Sequence, residues 1–267
     1  MLDWQNTGLF FLFRYPCVRP GNNCKTGFDM SPEASTQPIA VTDIPNRSGG
    51  IIRLIELNRP EKLNCLSLQM LKSLLAALQE GEKSNCVVLT GAGRAFCTGL
   101  DFNEIGGPEN ATVRSVSEHL QLIVQIYRWF LTARIPTIAL ARGYAAGGGA
   151  AFAASAQTTI VSEDFRYKLP GGNLARFATV AIPLFNRRAT ERPRNDAGWL
   201  GREWDAAEAK RLGLVDQIVT SEQLENIIRS VKGGELPPEY FGNPKRCDYP
   251  VKKTLEELEG FLKNATV

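Results

Sequence analysis

The chain reads as an α/β protein. Short apolar runs suited to buried strands alternate along it with amphipathic helical stretches, and glycine-rich turns join the two. Ile51-Ile52-Arg53-Leu54-Ile55-Glu56-Leu57 predicts a strand, ended by Asn58-Arg59-Pro60. Ser67 can cap the helix that follows, Leu68 to Glu80, with Leu68, Leu71, Leu74, Leu75 and Leu78 on one face. Cys86-Val87-Val88-Leu89-Thr90 is an apolar run for a buried strand, and Gly91-Ala92-Gly93 turns out of it. Val116 to Thr132 has helical spacing, with Leu120, Val124 and Tyr127 on one stripe. Pro136 to Ala141 predicts another strand, Gly143 to Gly149 a turn, Ala150 to Ala156 a helix of small residues, and Thr158 to Val161 a strand. After Gly171 the pattern weakens, and Arg187 to Arg194, with Pro193 inside, predicts a solvated loop or broken helix. Order returns with a capped helix from Asp205 to a glycine stop at Gly213, then amphipathic helices at Glu222 to Val231 and Lys252 to Leu262.

Composition narrows the classes of function. Hydrophobic and charged shares of 43% and 22% are ordinary for a globular chain and exclude disordered or collagen-like readings. A net charge of +3 lacks the concentrated basic face that nucleic acid demands, although a few lysines and arginines suit an anionic small molecule. The six cysteines show neither zinc nor disulfide spacing, so no metal site is expected and a reduced, cytoplasmic compartment fits best. No stretch approaches the ~20 apolar residues that cross a bilayer, so no membrane association is expected. The chain is expected to divide into a flexible segment, residues 1–49, a core, 50–220, and a C-terminal helical region, 221–267. Met1 to Asp29 reads as a gene-model extension, because Met30 opens a fresh stretch rich in Ser, Pro, Glu and Thr.

Chemistry points to Gly147-Gly148-Gly149. Without side chains, three glycines entering a helix let another group approach the backbone amides, and the helix N-terminus adds positive potential. Thioester reactions that pass through an enolate or a tetrahedral oxyanion need such donors. Taken alone, a triple glycine reads more readily as tight helix–strand packing. Gly91-Ala92-Gly93 lacks the third glycine of a dinucleotide fingerprint and the lysine of a phosphate loop.

Four ordered blocks decide between these readings. They are Leu57-Asn58-Arg59-Pro60-Glu61-Lys62-Leu63-Asn64, the stretch from Gly93 to Asp101, the stretch from Gly143 to Gly149, and the stretch from Gly201 to Asp216. Together they make residues Gly50 to Val219 resemble the crotonase family, the enoyl-CoA hydratase/isomerase superfamily. The resemblance implies a spiral of ββα units with C-terminal helices, assembled as trimers or hexamers. It implies an acyl-CoA or carrier-bound acyl thioester as substrate, coenzyme A entering only as part of that substrate, and a place in fatty acid metabolism. Position by position, the oxyanion donors would be the Leu100 and Gly148 amides, with Gly147 beside them. Lys62 and Leu63 would lie near the CoA adenine and phosphates, and Cys97, Asp101 and Phe102 would border the same channel.

The departures matter as much. Hydratases of the family carry a glutamate two residues after the triple glycine, where this chain has Ala151, and a second where this chain has Gly171. Adding water across a double bond needs a base for the water and an acid for carbon, so ordinary hydration is not expected. Isomerisation, decarboxylation or hydrolysis led by the oxyanion hole is expected instead, the alternative being an inactive acyl-CoA-binding or assembly partner. Phe177-Ala178-Thr179-Val180-Ala181 replaces the usual glycine-rich loop. Among other polar groups, His119 reads as a surface or packing histidine, Glu104 as a loop carboxylate near the acyl pocket, Tyr144 as packing, and Tyr167 and Lys168 as a solvent-facing pair.

Overall fold

The computed structural model describes residues 37–47, 49–112, 114–191, 198–236 and 251–265. The expectation about Met30 falls outside them, as do Arg192 and Arg194. Strands β1 (Ile39–Pro45), β2 (Ile51–Leu57), β3 (Cys86–Gly91), β4 (Thr137–Ala141), β6 (Thr158–Ser162) and β9 (Gln217–Val219) form one sheet in the order β1-β2-β3-β4-β6-β9. β1 is antiparallel to β2, and every later pair is parallel. A smaller sheet joins β5 (Tyr144–Ala146), β7 (Arg166–Lys168) and β8 (Glu203–Asp205) in the order β5-β7-β8.

The two sheets grow together. β4 feeds β5 and then helix α3 (Gly148–Ser155), and β6 feeds β7 and then α4 (Ala175–Ala178) and α5 (Ile182–Arg188). Each turn lays one strand in each sheet and returns through helix, which is the expected ββα spiral. Parallel neighbours need such crossovers. Helices α1 (Leu68–Gly81) and α2 (Ser117–Thr132) supply the earlier returns, and α6 (Ala206–Arg211) a later one.

Strand alternation sorts the core into two faces. Ile55, Leu57, Val87, Leu89, Ala139, Ala141 and Val161 face one cluster with α1, α2 and α3. Ile52, Leu54, Cys86, Val88, Ile138, Leu140 and Ile160 face the other, covered by Leu224, Ile227, Ile228 and Val231 of α7 (Ser221–Lys232). Helix α8 (Val251–Ala265) packs on α2 and α5, burying Leu258.

Local chemistry explains the helix starts. The Ser67 hydroxyl accepts the Met70 amide at 3.1 Å, the Asp205 carboxylate accepts the Glu208 amide at 2.8 Å, and Thr220 with Gln223 forms a reciprocal capping box.

Four features differ from expectation. Ile39–Pro45 lies in the segment expected to be flexible, yet it pairs along its whole length with β2. Residues 175–188 are helical, and Phe177 to Ala181 contribute buried Phe177, Ala178, Val180 and Ala181. Tyr144, expected to pack, is 47% exposed. Arg188 is held inside the fold rather than solvated: it pairs with Asp216 at 2.7 Å and donates to the Ala156 carbonyl at 2.8 Å.

Candidate active site

The site grows from the turn after β2. Leu63 and Asn64 adopt left-handed backbone angles, φ 51° and 54°, and Asn64 is fully buried. Its side-chain amide donates to the Ala92 and Ala95 carbonyls, each at 2.8 Å, and its oxygen accepts the Arg59 amide at 2.8 Å. One side chain thereby ties the Leu57–Asn64 block to the Gly93–Asp101 block. The Leu63 carbonyl accepts both the backbone and hydroxyl hydrogens of Thr98, each at 3.2 Å. The Leu66 amide donates to the Gly99 carbonyl at 2.7 Å, and the Asp101 amide to the Leu66 carbonyl at 3.1 Å. These two bonds straddle Leu100, so its own N–H points away from Leu66.

The third block closes on the same point. Cys97 and Ala145 form a parallel bridge, with the Ala146 amide donating to the Cys97 carbonyl at 2.9 Å. Gly99, at φ +84°, lies so near that a Cβ on it would stand 2.9 Å from the Ala146 oxygen and 3.4 Å from the Gly148 nitrogen. Gly147, at φ 50° and ψ −118°, turns the chain into α3, a conformation glycine alone adopts readily. Gly148 then opens the helix, where an amide has no intrahelical acceptor. Among the described residues neither the Leu100 nor the Gly148 N–H donates to another group. Gly149 serves packing: a Cβ there would fall 2.2 Å from the Cys97 carbonyl oxygen. Within the triple glycine, Gly149 thus meets the packing reading, while Gly148 presents an amide that donates to no other group among the described residues.

Asp101 holds this arrangement in place. Its carboxylate pairs with Arg59 at 2.9 Å and accepts the Asn103 amide at 3.2 Å. Burial pushes the carboxyl up, but the Arg59 guanidinium, the Cys65 thiol and the Asn103 amide outweigh it and hold it below the ordinary value. Burial raises the Cys65 and Cys97 thiols to about 12 each, which keeps both protonated and poor nucleophiles. Cys97 is fully buried under Gly149, Phe102 packs on Phe177 with ring centroids 6.2 Å apart, and Lys62 is exposed on the Pro60–Lys62 turn. Asp101 and Cys97 therefore have structural partners.

Ala151 and Gly171 both have tight surroundings. Ala151 is fully buried on α3. A Cβ on Gly171 would stand 2.8 Å from the Gly201 Cα, so the backbones of those residues already fill the space a longer side chain needs. Tyr167 does not face solvent: it is fully buried, edge-on to Phe165 and Phe185, and burial pushes its phenol up. Lys168 pairs with Glu203 at 3.3 Å.

Sequence reasoning missed one pair. His119 on α2 and Glu104, four residues past Leu100, meet at 3.0 Å between Nε2 and Oε2, and the same oxygen accepts the Leu68 amide at 2.8 Å. The His119 side chain is 9% exposed, and its Nδ1 is buried without a hydrogen-bond partner among the described residues. The two residues lie fifteen apart, in a turn and a helix, and no local spacing rule joins them. Two turns further along α2, the fully buried Tyr127 donates its hydroxyl to the Gly148 carbonyl at 3.4 Å.

The Leu100 and Gly148 amides, neither of which donates among the described residues, lie on neighbouring segments of a ββα spiral. Residues 47–233 match the family model described as enoyl-CoA hydratase/isomerase. The chain belongs to that family. A protein of Thermus thermophilus named a putative enoyl-CoA hydratase is 32% identical over 63% of this chain and 68% of its own length. Enoyl-CoA hydratase domain-containing protein 3, mitochondrial, of Danio rerio is 28% identical over 68% of this chain and 63% of its own length. The match to that relative thus spans less than two thirds of its length. The crystal structure of an enoyl-CoA hydratase/isomerase from Xanthobacter autotrophicus Py2 superposes with a TM-score of 0.65 at 22% identity, covering 84% of this chain and 85% of its own. Among the described residues no helix is long and apolar enough to cross a membrane.

Proposed function

We propose that the protein binds an acyl-CoA or carrier-bound acyl thioester and stabilises its enolate with the Leu100 and Gly148 amides. The observation that supports this reading is the approach of Gly99 to the start of α3, where an added Cβ would stand 3.4 Å from the Gly148 nitrogen, with neither the Leu100 nor the Gly148 N–H donating among the described residues. Donors fixed before the reaction cost no reorganisation when charge develops on the carbonyl oxygen, and each is worth about 3 kcal/mol to the transition state. With Ala151 and Gly171 at the carboxylate positions, hydration by paired carboxylates does not fit this site. Isomerisation, decarboxylation or hydrolysis of the thioester fits it better, because each draws on the same oxyanion.

The closed carboxylate positions also favour a second reading, a non-catalytic acyl-CoA-binding or assembly partner. A homotrimer or hexamer belongs to either reading. The test is calorimetric binding and turnover of acetyl-, crotonyl-, methylmalonyl- and glutaconyl-CoA, repeated with Gly148→Val. A ligand of the folded state also raises the melting temperature by mass action. Binding and turnover that both fail in Gly148→Val support the enzyme. Binding without turnover of any thioester supports the second reading, and no binding at all overturns both.

A further inference from the structure

We propose that His119 is the general base of this site and Glu104 the group that orients it. The inference rests on the oxyanion reading above. A carboxylate can only accept, so the imidazole nitrogen 3.0 Å from Glu104 Oε2 must carry the proton. Neutral His119 is thereby fixed as the Nε2–H tautomer, and its buried, unpartnered Nδ1 holds the bare lone pair. Glu104 is anchored in turn by the Leu68 amide at 2.8 Å.

The pair sits on the two elements that border the oxyanion donors, α2 and the turn after Leu100. His119, Ile123 and Tyr127 recur at four-residue spacing and share one face of α2. The next members of that row touch Gly148: a Cβ there would lie 3.6 Å from Ile123 Cδ1 and 3.8 Å from Tyr127 Oη. Four residues, about 6 Å along the helix axis, separate His119 from Ile123. From the other side, Glu104 follows Leu100 on the turn capped by Asp101, and Leu66 and Leu68 hold the two ends of that stretch. A base on this face lies on the side of α2 that meets Gly148, and in this proposal its Nδ1 is directed at the α-carbon of a thioester whose oxygen meets the Leu100 and Gly148 amides.

The step balances without a co-reactant. Nδ1 takes a proton from the carbon α to the carbonyl. The C–H electron pair becomes the enolate double bond, and the carbonyl π pair moves to the oxygen held by the two amides. The Glu104 carboxylate balances the imidazolium. Nδ1–H then returns the proton, to the γ-carbon when the acyl chain is β,γ-unsaturated, which shifts the double bond into conjugation. A single base suffices, so the absence of two glutamates is no obstacle. The substrate class is a β,γ-unsaturated acyl thioester.

The experiment uses the full chain without an affinity tag, and β,γ-unsaturated CoA thioesters of short and medium acyl length. Calorimetry reads binding, proton NMR in heavy water reads deuterium entry at the α-carbon, and ultraviolet absorbance reads the conjugated product. His119→Gln is the chosen variant because its amide can still donate to Glu104 and keep the structural contact. The expected result is unchanged binding with exchange slowed roughly a hundredfold or more. Exchange at the wild-type rate in His119→Gln overturns the proposal, as does binding by the wild type without exchange, and both leave the oxyanion reading standing. No binding by the wild type overturns that reading and this one together. His119 is the only histidine in the chain, so its ring nitrogens give a single set of NMR signals even if the variant fails to fold. Those signals must show the Nε2–H tautomer and must shift at Nδ1 when the thioester binds. A different tautomer, or an unmoved Nδ1, contradicts the assignment.

Discussion

Asn64 and Asp101 are the single residues on which the shape of the site depends. Replacing Asn64 with alanine strips partners from the Ala92 and Ala95 carbonyls and the Arg59 amide inside a dry turn. The loss is expected to destabilise the fold by about 3 kcal/mol, read by urea denaturation. Asp101 gives a pH signature. Its folded-state pKa lies below the ordinary value, so its stabilisation is present above the unfolded pKa and is lost as pH falls through the folded one. Asp101→Asn is therefore expected to destabilise most near neutrality, with the gap to the wild type closing as the pH drops below about 4. A gap that is constant with pH contradicts the ion-pair assignment. At this scale the sequence reveals the glycines and the identities of Ala151 and Gly171, because both are matters of residue type. It hides the partition of labour within Gly147-Gly148-Gly149, and it hides His119 with Glu104, because those depend on which backbones meet.

Elements were legible where a strong periodic or capping signal ran for a full length. β2, β3 and β4 announce themselves as apolar runs, α1 by its leucine face and Ser67 cap, and α7 by its amphipathic face. β5, β7 and β8 escape because each has only three residues, too few for an alternation to show, and their partners lie far along the chain. α5 escapes because its arginines suggest solvent. Arg188 instead bonds α5 to the end of α3 and to Asp216, which also accepts the Thr159 amide at 2.7 Å. Truncating Arg188 to alanine leaves that carboxylate and the Ala156 carbonyl without their cation. The expected cost is about 3 kcal/mol by chemical denaturation, the low end for a broken buried pair because Asp216 retains some solvent. A change below about 0.5 kcal/mol is what a solvated surface arginine gives, and it contradicts the placement.

From Gln37 on, the described residues wind into a spiral that brings three sequence blocks to one place. Asn64 draws the first block onto the second, Leu66 threads along Leu100, and the Cys97–Ala145 bridge carries the second against the third. This convergence was readable in outline, since ordered motifs implied it, but its geometry was not. The central claim is that the Leu100 and Gly148 amides hold a thioester oxygen. The most direct measurement labels the carbonyl carbon of a bound CoA thioester and follows its NMR shift and infrared stretch, in the wild type and in Gly148→Val. Two N–H donors polarise the carbonyl, so the account predicts a downfield resonance and a lowered stretching frequency on binding. Both changes are lost in the variant, along with about a hundredfold or more of any turnover. A carbonyl that binds with its solution shift and frequency unchanged, or that is polarised equally in Gly148→Val, contradicts the account.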